Sequence, residues 1–254
     1  MNVAIRYAAG SDIGCNRENN EDSGYAGPHL LAVADGMGGY AGGEVASSTV
    51  ISALRRFDAP VSDAELQNTL GRAVAEVNGA LGQAIKANPE LNRMGTTLTV
   101  MLWNGSTHFA LAHIGDSRAY LLRDGVLFQI TKDHTLAELL AEGGEGGENS
   151  HLSHMLFKVL DGGPDREPDI FMREARVGDR YLLCSDGLSG PVGPQAIFDA
   201  LTAEAELTGA VERLIRLARD GGGPDNITCV VADVIPAEPQ ADSQRPTIVG
   251  AVAG

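Results

Sequence analysis

The sequence predicts an α+β fold, with antiparallel β-sheets flanked by helices. Three observations lead there. Strand-like and helix-like segments come in blocks instead of strict alternation, which favours antiparallel sheets over a wound parallel one. Asp124-Gly125 joins two apolar runs as a tight hairpin does. The chain has 254 residues, of which 43% are hydrophobic, enough for one large core; aromatics are only 5%, so aliphatic and Ala packing must fill it.

The elements follow in order. Residues 3–8 alternate loosely and read as a strand. Leu30-Leu31-Ala32-Val33-Ala34 is a buried strand halted by Asp35-Gly36-Met37-Gly38-Gly39. Helical stripes follow over 44–57 (Val45, Ala46, Val50, Ile51, Leu54) and 63–87 (Leu66, Leu70, Val74, Val77, Leu81, Ile85). Asp63 suits a cap or first-turn position of the second. Residues 96–103, 108–114, 119–123 and 126–130 are β-branched or apolar and read as strands. A short helix is expected over 135–142, then a Gly- and Glu-rich loop. Residues 180–184 form a strand ending in Ser185-Asp186-Gly187. Helix 207–220 stops at Gly221, and strand 227–234 closes the domain. From Pro236 the composition is Pro, Gln, Ser, Ala and Gly without periodicity, so 236–254 is expected to be a disordered tail or linker stub after a domain of residues 1–235.

Composition excludes several functions. A net charge of −15 disfavours nucleic acid and anionic membrane surfaces, both of which demand Lys and Arg. An acidic protein acting on phosphate esters would need cations to offset its own field. Cys15, Cys184 and Cys229 are odd in number and lack CxxC spacing, so neither a disulfide framework nor a zinc site is expected. Reduced thiols in the cytoplasm are the expectation. No signal peptide and no membrane-spanning run is present in the sequence given.

Five acidic motifs carry the chemistry: Glu21-Asp22, Asp35-Gly36, Gly115-Asp116-Ser117, Ser185-Asp186-Gly187 and Pro224-Asp225-Asn226. Each lies at or near a turn signal, and most follow a strand. Carboxylates at several strand ends can converge, and a cluster of like charges needs cations to stay ionised. Oxygen-only ligands select Mg²⁺, Mn²⁺ or Ca²⁺. Asp35 is placed to bridge two ions, with Gly36 lending its carbonyl. Arg17, four residues before Glu21, could grip a phosphate in bidentate fashion. Singly, each has a plainer reading: Arg17 a solvated surface residue, Glu21 and Asp22 a turn pair, any Asp-Gly a turn. Gly36, Gly38 and Gly39 lack a following Lys-Ser/Thr, so a Walker loop is rejected. His108, His113 and His134 lack metal-ligand spacing, and His113 and His134 read as structural.

Taken together, the ordered set is specific. Arg17-Glu18-Asn19-Asn20-Glu21-Asp22-Ser23, Ala34-Asp35-Gly36-Met37-Gly38-Gly39, Met94-Gly95-Thr96-Thr97, Gly115-Asp116-Ser117-Arg118, Ser185-Asp186-Gly187-Leu188 and Gly223-Pro224-Asp225-Asn226-Ile227-Thr228 occur in that order. The chain, over roughly residues 5 to 235, closely resembles metal-dependent Ser/Thr protein phosphatases of type 2C. The resemblance is strongest to the bacterial branch that opposes membrane-spanning Ser/Thr kinases.

The resemblance implies an αββα sandwich with metals in a cleft at one edge and a flap at about 143–163. It implies that Asp35, Asp186 and Asp225 bind one metal, Mn²⁺ or Mg²⁺. Glu21, Asp35 and the Gly36 carbonyl would bind a second, and Asp116 with Asp186 a weaker third. Asp22 would order metal-bound water, Arg17 would bind substrate phosphate, and Asn226 would support the Asp225 turn. The implied reaction is hydrolysis of phosphoserine and phosphothreonine on proteins by a metal-bridging water, with no phosphoenzyme. Implied partners are phosphorylated proteins, including Ser/Thr kinases and their substrates, met by a monomeric cytoplasmic domain that stands alone or is membrane-anchored. Two departures stand out. Met37 replaces the His that some relatives use as general acid. The flap reads His151-Leu152-Ser153-His154 and Lys158-Val159-Leu160-Asp161, where bacterial relatives usually carry Arg-containing stretches. Two other readings stay open: a pseudophosphatase serving as an interaction module, and a sigma-factor-control phosphatase with one phosphorylated antagonist as substrate.

Overall fold

Strict in-out alternation along the central strands sorts the core into three parts. The computed structural model describes residues 3–38, 42–143, 155–164, 166–237 and 244–253. The strands are β1 (Val3–Asp12), β2 (Asp22–Ala26), β3 (Leu30–Met37), β4 (Gly95–Thr96), β5 (Leu98–Trp103) and β6 (His108–Ile114). They continue with β7 (Arg118–Arg123), β8 (Val126–Gln129), β9 (Asp169–Glu174), β10 (Arg180–Cys184), β11 (Ile227–Pro236) and β12 (Thr247–Gly250). The helices are α1 (Gly42–Leu54), α2 (Asp63–Ala87), α3 (Leu136–Glu142), α4 (Asp186–Ser189), α5 (Pro194–Ala203) and α6 (Leu207–Asp220).

One sheet runs β1-β11-β10-β7-β8; the other runs β12-β2-β3-β5-β6-β9, with β4 paired to the end of β3. All pairings are antiparallel. Leu31 and Val33 of β3 face Leu183 of β10 and Val230 of β11 in the layer between the sheets. Their neighbours Ala32 and Ala34 face the opposite way, onto Val50 of α1 and Leu70 and Val74 of α2. On the far side, Leu182, Cys184, Cys229 and Val231 pack against Ile197 and Leu201 of α5 and Val211 and Leu214 of α6. This period of two on both sheets makes a helix–sheet–sheet–helix sandwich, the α+β fold expected.

Local chemistry explains most elements. The hairpin between β7 and β8 turns at Asp124 and Gly125 with φ of 51° and 74°, the paired positive values of a type I′ turn. Helices α2 and α6 match the apolar stripes, with Asp63 in the first turn of α2. Strand β2, strand β9 and helix α5 lack a long periodic pattern and were not expected. Helix α5 has only ten residues and opens on Pro194, a favoured first-turn residue.

The expected disordered tail is corrected in its last third. Thr247–Gly250 pairs with β2, from Thr247 opposite Ala26 to Gly250 opposite Ser23. The cause is non-local: β2 would otherwise be an open sheet edge, and a short β-branched run closes it. Gln244 prepares the docking. Its Nε2 donates to the Tyr7 carbonyl at 2.5 Å, and the Gln244 carbonyl accepts from the Tyr7 hydroxyl at 2.8 Å. Ile248 and Val252 pack on the core beneath α1. Ile248→Ala should cost about 1–2 kcal/mol, since a half-buried Ile loses part of a full core truncation. The check is the urea midpoint at constant m-value; an unchanged midpoint would mean that the segment is undocked.

Candidate metal centre

Register decides where the acidic motifs go. Asp22 pairs with Asp35, Leu98 with Ile114, and Cys184 with both Arg118 and Cys229. These pairs put the strand termini that carry all five motifs at one end of the sandwich. There a cleft of about 530 Å³ has Arg17, Glu21, Asp35, Gly36, Asp116, Asp186 and Asp225 on its walls, together with Met37, Thr97, Leu156 and Val159. A second cavity of about 550 Å³, lined by Arg6, Arg180 and Asp233, is similar in size. Its charges are already matched, with Arg180 Nε 2.6 Å from Asp233. Of these two, the first cleft gathers five carboxylates beside one guanidinium among the described residues.

Backbone and side-chain clamps hold each acid. Asn226 accepts from the Glu21 amide at 2.7 Å and donates through Nδ2 to the carbonyls of Ile13 and Asn19, both at 2.9 Å. Its own amide donates to Asp225 at 2.8 Å. One side chain thus ties the Arg17–Glu21 loop to the Asp225 turn. Thr97 does the same for the other wall. Its hydroxyl accepts from the Asp35 amide at 3.0 Å and lies 2.8 Å from the Ser117 hydroxyl, and its amide donates to the Asp35 carbonyl at 2.9 Å. Gly36 and Gly43 let three strands of backbone meet: a Cβ on Gly36 would overlap the Gly43 carbonyl, and one on Gly43 would lie 2.7 Å from the Glu21 carboxyl carbon.

Asp22 stands apart from its neighbours. It does not line the cleft but is fully buried behind it, with Oδ2 accepting from the Ser185 hydroxyl at 2.7 Å. Among the described residues, its Oδ1 is buried without a hydrogen-bond partner.

The electrostatics are those of crowded anions. Burial, then the charges of Asp22, Asp186, Asp116 and Asp225, push Asp35 well above the ordinary carboxylate range. Burial, then Asp186, pushes Asp116 up to about 7. Burial raises Asp22 to about 8, even though Ser185 favours its charged form. Burial also raises Glu21, opposed by Arg17. Among the described residues that line the cleft, the cation is Arg17, with NH2 2.6 Å from Asp225 and NH1 3.9 Å from Glu21.

These residues fit divalent cations. The donor set is all oxygen, an orphaned carboxylate oxygen lies behind it, and the Arg17 guanidinium stands where positive charge is required. Among the described residues, no three acidic, His or Cys side chains are gathered tightly enough to cage an ion as they stand.

The structure brings together every residue expected at the site, with Asp22 placed one layer back. Thr97 was missed as a positioning residue; the only signal in the sequence was the Met94-Gly95-Thr96-Thr97 string. His113 is structural as expected, buried between the Thr99 hydroxyl and the Lys132 carbonyl, both at 2.9 Å. Of the altered flap, His151 to His154 lie outside the described residues, whereas Lys158 pairs with Asp169 at 2.9 Å and Leu160 is fully buried.

The chain is similar to proteins of a known family. The family described as Protein phosphatase 2C matches residues 17–231. The chain is 49% identical over 258 aligned positions to Serine/threonine protein phosphatase PstP of Mycobacterium tuberculosis, covering 100% of this chain and 49% of that protein. It therefore spans about half the length of that curated relative. Serine/threonine phosphatase stp of Listeria monocytogenes is 32% identical, covering 88% of this chain and 93% of that one. Among solved structures, the catalytic domain of PstP in complex with two manganese ions is similar at a TM-score of 0.86 with 51% identity, covering 92% of this chain and 99% of that one.

Two outcomes follow for the purified chain. Raised carboxylate pKa values mean that the folded state holds extra protons, so metal-free stability must fall as pH rises through about 7 to 8. His113, lowered to about 4, is neutral in the folded state, so it adds only a small opposing gain that is complete once the unfolded imidazole has lost its proton. Calorimetry should show the metal-free Tm dropping between pH 6.5 and 8.5, with Mn²⁺ raising Tm more at the higher pH; an equal rise at both would contradict the cluster. Thr97→Val removes the Asp35 amide's acceptor and should weaken Mn²⁺ binding by about 10-fold or more, read by isothermal titration.

Proposed function

We propose that this chain, which belongs to the protein phosphatase 2C family, hydrolyses phosphoserine and phosphothreonine esters on proteins with the help of Mn²⁺ or Mg²⁺. The observation that carries the reading is a single cleft lined by Glu21, Asp35, Asp116, Asp186 and Asp225, with Arg17 at its mouth. Asp35, Asp186 and Asp225 would hold one ion; Glu21, Asp35 and the Gly36 carbonyl a second; Asp116 with Asp186 a weaker third. Such ions, when bound, supply an activated water and neutralise charge on the phosphoryl group.

The chain's own residues do the rest. Arg17 is half-exposed and reaches the cleft from a loop, so it can leave Asp225 and take a phosphate on two of its nitrogens. Asp22 Oδ1, without a hydrogen-bond partner among the described residues, would accept from a water held by the cations. Met37 lines the cleft where a His stands in some relatives and has no proton to give, so the leaving alkoxide takes its proton from water. No cysteine lines the cleft; Cys184 and Cys229 are buried, with Cys184 pushed up to about 12, which disfavours a thiolate nucleophile.

The substrate class follows from shape and charge. The cleft is open and suits a side-chain phosphate presented by a protein surface, and the net charge of −15 disfavours nucleic acid. Ser/Thr kinases and their substrates are the proposed partners, met in the cytoplasm. No helix among the described residues is long and apolar enough to cross a membrane.

The test is phosphate release from a phosphothreonine peptide. Release should require Mn²⁺, vanish in EDTA, and fall by more than about 100-fold in Asp35→Asn, exceeding the cost of losing a residue that only supports a ligand. Arg17→Ala should act mainly on KM. Full activity in EDTA would refute the reading, and negligible turnover at saturating Mn²⁺ would favour an interaction module.

A further inference from the structure

The segment from Gln244 to Ala253 laces the outer strands of both sheets together. At its start, the Gln244 side chain acts as a strand partner for β1. Nε2 donates to the Tyr7 carbonyl, and Oε1 accepts from the Tyr7 amide at 3.3 Å. The segment then pairs with β2 of the other sheet. Ile248 packs on the cluster beneath α1. Val249 lies against the bare face of Gly24: a Cβ on that glycine would be 2.8 Å from Val249 Cγ2 and 3.1 Å from Thr228 Cγ2.

The end of the segment reaches the back of the acidic cleft. Gly250 stands opposite Ser23 with a φ of 80°, and a Cβ there would be 2.2 Å from the Asp22 carbonyl oxygen. Glycine alone permits that approach. Further along, the Val252 amide donates to the Ser23 hydroxyl oxygen at 3.2 Å. Ser23 Oγ lies 3.0 Å from Ser47 Oγ of α1, which donates to the Glu44 carbonyl at 3.4 Å. The relay has one direction. The Val252 N–H can only donate and the Glu44 carbonyl can only accept, so Ser23 gives its proton to Ser47. Both serines are fully buried, and a buried hydroxyl that loses its partner is costly. Closing a sheet edge needs only ladder hydrogen bonds. These extra contacts converge on Asp22 and Ser23, and Asp22 pairs with Asp35.

We propose that Gly250 and Val252 are positioning residues that hold the start of β2, and Glu21 with it, so that docking of 244–253 and cation binding beside Glu21 and Asp35 favour each other. Such coupling is reciprocal by linkage. The proposal rests on the cleft binding divalent cations as set out above.

MnCl₂ is titrated by calorimetry into the full chain, Gly250→Ala, Gly250→Val and Ile197→Val. The last is a control beneath α5, in the opposite helical layer, that trims the core away from the segment. Amide hydrogen exchange of 248–252 is followed with and without Mn²⁺, with the edge strand 126–129 as internal reference. The expected result is Mn²⁺ affinity about 10-fold weaker in both Gly250 variants, with faster exchange at 248–252, and wild-type affinity in Ile197→Val. In the wild type, Mn²⁺ should slow exchange at 248–252 by a similar factor and leave 126–129 unchanged. If the Gly250 variants do not fold, the wild-type exchange comparison decides. Wild-type Mn²⁺ affinity in the Gly250 variants, equal weakening in Ile197→Val, or exchange at 248–252 that Mn²⁺ does not slow beyond 126–129 overturns the coupling. No Mn²⁺ binding by the wild-type chain overturns the functional reading itself.

Discussion

Repulsion among carboxylates held at one end of the sandwich is the constraint on which the rest depends. Asp22 and Asp35 face each other across a strand pair, and Asp186 and Asp225 flank the next pair of strands. Burial raises the cost of each charge, and every acidic neighbour raises it again. A fold that paid this cost for stability alone would be at a disadvantage, because an uncompensated buried charge is among the most destabilising features a core can hold. The clamps of Asn226 and Thr97 make sense only as devices that hold the acids together against their own field. Arg17 is the partial answer within the chain, a single positive charge against five carboxylates along the cleft.

The layers of the sandwich serve that end. Helices α1 and α6 cover opposite outer faces, and the inner layer of Leu, Val and aromatic side chains fixes the two sheets face to face. Close packing leaves the strand termini little freedom, so the acids cannot drift apart by much. The 155–164 stretch is different in kind. It meets the rest through Leu160, the Thr96 bridge, the contacts around His134, the Lys158–Asp169 ion pair and the Asn78 side chain, which bonds Gly162 and Gly163, and it presents exposed Met155 and Phe157 beside the cleft.

Much of this was legible in the sequence, for physical reasons. Helices α2 and α6 carry long apolar stripes, and β6 and β10 are short apolar runs ended by turns, so local patterning and tertiary packing agree. The carboxylates were legible because each lies at or near a turn. What was hidden is what depends on distant partners. Strand β12 exists because β2 offers an edge, and its four residues look like part of a low-complexity tail. The burial of Asp22 depends on Ser185, 163 residues away. Thr97 and His134 are ordinary residues until the register sets Asp35, Ser117 and Gly115 beside them.

The most direct test of the central claim is anomalous diffraction at the manganese edge from crystals of the chain grown with Mn²⁺. The account predicts two strong peaks on either side of the Asp35 carboxylate, one toward Glu21 and Gly36 and one toward Asp186 and Asp225. It also predicts that Arg17 is released from Asp225. A cleft without peaks, with Arg17 still paired to Asp225, would contradict it.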